Sequence, residues 1–109
     1  MPRDYGVPPG TLTLLILRVL HAGPLHGYAI AQRIHLLSRE ELSIEKGSLY
    51  PALQKMLLQG VVKATWTTSD SGRRVREYRL TTEGRRALDA ATAEFKRTTQ
   101  AIGWLLDET

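Results

Sequence analysis

Apolar residues recur along this chain with two distinct periods. From Leu12 to Leu20 they crowd together, with Leu12, Leu15, Ile16 and Val19 on one face of a 3.6-residue helix and Leu14 and Leu17 on another. The pattern predicts a helix from an N-cap at Thr11 to about His21, stopped by Gly23 and Pro24. A helix apolar on two faces needs burial on two sides. One small domain offers a single core, so Leu14 and Leu17 are expected at an interface between subunits. A second helix, roughly Leu25–Leu37, directs Tyr28, Ile30, Ala31, Ile34 and Leu37 along one stripe. Ser38–Glu45 is polar and turn-like, with a short strand expected at Ser43–Ile44. A third helix is expected from an N-cap at Ser48 to about Gln59, with Leu49, Leu53, Met56 and Leu57 buried and Gly60 as C-cap. Pro51 then falls in the first turn, where a missing N–H costs little.

The period next shortens to two. Val62, Ala64 and Trp66 alternate with Lys63, Thr65 and Thr67; after the turn cluster at Ser69–Gly72, Tyr78 and Leu80 alternate with Glu77 and Arg79. This pattern predicts a β-hairpin, with Trp66 anchoring it in the core. Thr81 or Thr82 caps a last helix reaching about Asp107, where Leu88, Ala91, Phe95, Thr98, Ile102 and Leu105 recur every three or four residues. That seam follows a core already complete, so it calls for a partner. The fold class is mainly α (α+β): a winged helix-turn-helix with a C-terminal dimerisation helix. Residues 1–10, rich in Pro and Gly, are expected to be a flexible lead, 11–81 the winged helix and 82–109 the terminal helix.

Composition narrows the chemistry. The 109 residues suit one domain, and the absence of cysteine excludes disulfides, thiolate metal sites and thiol catalysis. His21, His26 and His35 have no carboxylate or thiolate at ligand spacing, so no metal or other cofactor is expected. No nucleophile–base arrangement, catalytic carboxylate pair or phosphate-cradling glycine loop is present, so no enzyme is expected. The longest apolar stretch, Leu14–Leu17, is far short of the roughly 20 residues a membrane span needs, and no cleavage site follows it. The expected compartment is the cytoplasm, with no membrane partner. The net charge of +4 becomes informative once located: residues 61–81 carry five basic and two acidic side chains, whereas residues 82–109 carry four and five. Positive charge therefore gathers in the hairpin, where a polyanion contact competes with simple solvation.

The element order gives that charge a use. In a winged helix-turn-helix the third helix enters the major groove and the hairpin, or wing, reaches phosphates or an adjacent groove. The third helix offers Gln54 for base edges and Lys55 for the backbone. At its start, the Tyr50 hydroxyl suits a phosphate, Pro51 an apolar contact with base methyls, and Ser48 a phosphate through its backbone N–H. For Lys46, phosphate contact and solvation both stay open; for Tyr28, beside Gln32 on the second helix, phosphate contact and packing at the core rim both stay open. Arg73 and Arg74 at the wing tip suit phosphates or the minor groove, while Arg76 and Arg79 either pair with Glu77 or shield the strand.

Several motifs in this order resemble the PadR family of transcriptional regulators: GTLTLLIL at 10–17, GPLHGYAI at 23–30, KGSLYPAL at 46–53, QGVV at 59–62 with Trp66, then GRR at 72–74 and YRLTTEG at 78–84. They span nearly the whole chain, and a single terminal helix resembles the short PadR subfamily. The resemblance implies a homodimer on a pseudo-palindromic double-stranded operator, repressing its own or an adjacent operon and released by a small aromatic or drug-like effector. It implies dimer contacts through the terminal helix, at Phe95, Ile102, Leu105 and Leu106, helped by Leu14 and Leu17 of the first helix. Trp104 is read as dimer packing or as the wall of an effector pocket. Two other classes stay open: a protein-interaction winged helix meeting an acidic partner, and a small-molecule sensor that binds no DNA.

Overall fold

The computed structural model describes residues 10–107; the flexible lead expected at residues 1–10 lies, Gly10 apart, outside them. The elements are α1 (Thr11–His21), β1 (Leu25–His26), α2 (Gly27–Leu37), α3 (Lys46–Leu58), β2 (Val62–Thr68), β3 (Arg74–Leu80) and α4 (Thr82–Asp107). α1 starts from Gly10, which adopts φ 87°, rather than from Thr11 as N-cap. It is the axle of the core. Ile16, Leu17, Val19 and Leu20 are buried, and α2, α3, β3 and α4 all pack around them. The two-faced apolarity of α1 is therefore satisfied within one protomer. Leu17 is 1% exposed and has no surface to give a partner, which corrects its expected place at a subunit interface. Leu14 is half-buried against the same core.

β1 is the element that ties α2 to the wing. Leu25 pairs with Tyr78 and His26 with Glu77, so α2 starts two residues later than expected. The sheet order is β1-β3-β2, and both edges of β3 are thereby occupied. Ser43–Ile44, expected as a short strand, is irregular, and the place beside β3 is taken by β1 instead; Leu42 and Ile44 still pack on the core. The turn before it is held by side chains. Ser38 Oγ donates to the His35 carbonyl and accepts from the Leu42 N–H, both at 3.0 Å, and His35 Nδ1 lies 2.9 Å from the Leu42 carbonyl oxygen. Arg39 and Glu40 both adopt left-handed backbone there (φ 57° and 65°), a conformation costly outside glycine. The Glu40 N–H donates to the His35 carbonyl at 2.7 Å, closing the turn over the helix end.

α3 begins at Lys46, two residues before the expected N-cap. Glu45 in extended backbone takes that position, and its carbonyl accepts the N–H of Ser48 (3.0 Å) and of Leu49 (2.9 Å). Ser48 is therefore the third helical residue and its N–H is already used, which corrects both its capping role and its backbone contact with phosphate. Pro51 is the sixth residue, so its missing donor falls inside the helix rather than in the first turn.

The wing keeps the expected register, with Val62 opposite Leu80, Ala64 opposite Tyr78 and Trp66 opposite Arg76. Its inner face is buried at Val62 and Tyr78, but the hairpin outruns the helices. Trp66 is consequently 60% exposed instead of anchoring the wing in the core. At the other end, Thr81 joins the sheet to α4. Its Oγ1 donates to the Gly60 carbonyl and accepts the Gly84 N–H at 3.0 Å, an N-cap bond, while its own N–H donates to the Val61 carbonyl at 3.2 Å. A Cβ at Gly84 would stand 2.1 Å from the Val61 carbonyl oxygen, so only glycine allows this close approach. The 26 residues of α4 extend about 39 Å, within a longest molecular dimension of 57 Å. Leu88 is its last buried residue, and from Ala93 on all its residues but half-buried Gly103 are exposed. Among the described residues, no helix is long and apolar enough to cross a membrane.

Candidate nucleic-acid interface

The helix-turn-helix pair presents its polar residues outward because its apolar ones are committed to the core. Ile30 and Ile34 of α2 and Leu49, Leu53 and Met56 of α3 are buried. That leaves Gln32 on α2 and Pro51, Gln54 and Lys55 on α3 exposed, with Lys46 exposed and Ser48 half-buried at the start of α3. Tyr28 is 59% exposed, so much of its ring faces solvent. Tyr28, Glu45, Lys46 and Tyr50 line one groove together with the apolar Ala31, Ile44 and Leu49.

The position of Tyr50 is set by a glycine. A Cβ at Gly27 would stand 2.8 Å from both Cε1 and the hydroxyl of Tyr50, so the tyrosine ring lies directly on the first residue of α2. Tyr50 thus packs on α2 and still keeps 43% of its surface exposed. Packing on α2 therefore fixes the ring, and the fixed ring lines both this groove and the cleft beside the wing.

The wing supplies the positive charge. Arg74 and Arg76 alternate onto the inner face, where the Arg74 guanidinium carbon is 5.0 Å from the Trp66 ring centroid and that of Arg76 is 5.9 Å from the Tyr78 centroid. Arg79 falls on the outer face and pairs with Glu77 at 3.7 Å. The strand alternation therefore separates two arginines that sequence reasoning treated alike. Arg74, Arg76 and Trp66 share a second cleft with Tyr28 and Tyr50. Arg73 is exposed in the turn at the wing tip, outside both clefts, as are Gln32, Pro51, Gln54 and Lys55. Arg76 and Trp66 are the members of this surface that the sequence reading missed. Alternation from Tyr78 and Ala64 is the signal that would have put both on the inner face; it carries nothing about where the core beneath them ends.

On the terminal helix, Gly84, Leu88, Phe95, Ile102 and Leu106 lie within a narrow stripe at about 100° per residue. The near half is covered by the protomer's own core, since Gly84 and Leu88 are buried. The far half is exposed, with Phe95 at 45%, Ile102 at 49% and Leu106 at 67%. Leu105 is exposed beside the stripe, and Trp104, 64% exposed, lies about 180° around the helix from Phe95.

Comparison with known proteins agrees with this geometry. Residues 16–90 match the model of the transcriptional regulator PadR-like family. Among solved structures, 92% of the chain is similar to 85% of a PadR family transcriptional regulator from Eggerthella lenta DSM 2243, at 31% identity and a TM-score of 0.77. A Streptococcus mutans UA159 structure matches 95% of this chain with 93% of its own, at 29% identity and a TM-score of 0.82. A PadR family transcription regulator from Clostridium difficile R20291 matches 89% with 99% of its own, at 27% identity and a TM-score of 0.76. With its winged helix, long terminal helix and family match over residues 16–90, the chain belongs to the PadR-like family of transcriptional regulators.

Proposed function

We propose that the protein is a homodimeric repressor that binds a pseudo-palindromic operator at its own or an adjacent operon. The observation that carries the reading is the pair of adjoining clefts in which Tyr28 and Tyr50 are shared between Lys46 at the start of α3 and the cationic inner face of the wing. Membership of a transcriptional regulator family supports DNA as the partner. Gln54 would read base edges, Pro51 would meet base methyls, and Lys55, Lys46, Gln32, Tyr28 and Tyr50 would hold phosphates. Ser48 would contribute its hydroxyl, and Arg73 and Arg74 would reach phosphates or the minor groove at the wing tip.

The exposed stripe on α4 supports the dimer. Phe95, Ile102 and Leu106 extend the line of Gly84 and Leu88, so a second copy laid against it would continue the core rather than begin a new one. Leu105 would join that contact, and Leu14 would contribute its remaining surface. Two reading heads would then meet successive major grooves on one face of the duplex, about 34 Å apart. An effector, drug-like or aromatic, would seat against Trp104 and favour a dimer geometry unsuited to DNA. Genome-wide footprinting in the native organism tests the reading. Enrichment at the chain's own promoter or a neighbouring one is expected, and a pattern indistinguishable from an untagged control would reject it.

A further inference from the structure

The face of the wing that meets the helices changes character along its length. It begins as core at Val62 and Tyr78, then continues past the helices as Trp66, Arg76 and Arg74. Across a cleft of about 230 Å³ stand Tyr28 and Tyr50 and the first residue of α2, Gly27. Among the described residues, no carboxylate lines this cleft. Its acidic neighbour on the strand, Glu77, belongs to the outer face with Arg79. The two guanidiniums are held over aromatic rings at 5.0 and 5.9 Å, which restrains long side chains before any ligand arrives. The N-terminus of the 11-residue α2 adds its positive dipole end to the same wall.

Building on the DNA-binding reading, we propose that this cleft seats one stretch of the operator's sugar–phosphate backbone between the major groove and the wing. Arg74 and Arg76 hold a phosphodiester from one side, the Tyr28 and Tyr50 hydroxyls donate from the other, and the exposed Trp66 ring lies against the neighbouring sugar. The cleft is smaller than the ~300 Å³ at which small-molecule pockets begin, and its largest aromatic wall is 60% exposed. Both features suit a polymer passing across it better than a small ligand enclosed in it. Trp66 and Arg76 thereby become backbone-positioning residues, contributing affinity without sequence preference.

Because a backbone contact ignores sequence, the test needs no known operator. The full chain carrying Trp104→Phe keeps Trp66 as its single tryptophan. It is titrated with a random-sequence duplex of about 20 base pairs over a range of salt concentrations. Quenching of Trp66 emission on binding is expected. Arg76→Gln should lower the slope of log K against log salt by about one for each protomer bound. Arg79→Gln removes the same charge from the outer face and should leave the slope in place. If Arg76→Gln fails to fold, as judged by circular dichroism, Arg74→Gln carries the same expectation. Steep salt dependence with unmoved Trp66 emission, or equal slopes for the Arg76 and Arg79 variants, overturns the cleft and leaves DNA binding standing. Absence of salt-dependent binding by the parent chain overturns both. Quenching by adenosine monophosphate at the duplex concentration overturns the assignment to DNA backbone.

Discussion

Gly27 shows how one residue without a side chain fixes another that bears chemistry. Replacing it with Ala puts a methyl 2.8 Å from the Tyr50 ring edge and hydroxyl. That ring is the far end of a half-exposed side chain, so it can swing aside without unfolding the protein. At the same time, alanine is the better helix former. Gly27→Ala is therefore expected to keep or raise the melting temperature while weakening DNA binding roughly two- to tenfold, the worth of one displaced hydrogen bond. A titration of both proteins with the same duplex, alongside thermal melts, checks it; equal affinities would detach Tyr50 from the interface. This dependence was not legible in the sequence, because residues 27 and 50 meet only through the crossing of α2 and α3. Gln54, Lys55 and Arg73 were legible, since the helical period puts the first two on an exposed face and the turn cluster puts the third at the wing tip. Leu17 and Trp66 show the opposite failure. Periodicity states that a side chain is apolar and which way it points, but not how much of the neighbouring fold reaches it.

At the scale of elements, the joint between wing and terminal helix sets the direction of α4. Thr81 bonds to Gly60, Val61 and Gly84 at once, and Gly84 lets the helix start against the Val61 carbonyl. A helical glycine usually gains about 1 kcal/mol on replacement by alanine. Here the obstructing atom is backbone and cannot turn away, so the sign reverses: Gly84→Ala should cost about 1–3 kcal/mol. Thr81→Ala, which removes the N-cap, should cost about 1 kcal/mol. Urea denaturation of the two variants tests both, and a stabilised Gly84→Ala protein would refute the close approach. The element order and the β2–β3 register followed from periodicity and turn residues. The boundaries that moved did so for tertiary reasons. Leu25–His26 became a strand because β3 had a free edge, and α3 began early because the Glu45 carbonyl captured two N–H groups.

At the scale of the whole molecule, a compact winged helix carries an arm that contributes no buried residue beyond Leu88 among the described residues. The exposed stripe of Phe95, Ile102 and Leu106 continues a line that is core at Leu88, which motivates the dimer. Ile102→Asp places a charge on that stripe at a position 49% exposed in the protomer, so the fold should survive while the dimer does not. Light scattering should then report the mass of one chain with unchanged far-ultraviolet circular dichroism; an intact dimer would contradict the stripe as the interface. The most direct measurement is the affinity of the wild-type protein for the promoter fragment found by footprinting, followed from low to physiological salt. Phosphate contacts from two reading heads should make log K fall linearly with log salt, with a slope near −0.9 for each phosphate neutralised. Affinity that does not change with salt, or no binding at any salt concentration, would contradict the protein's reading as a DNA-binding regulator.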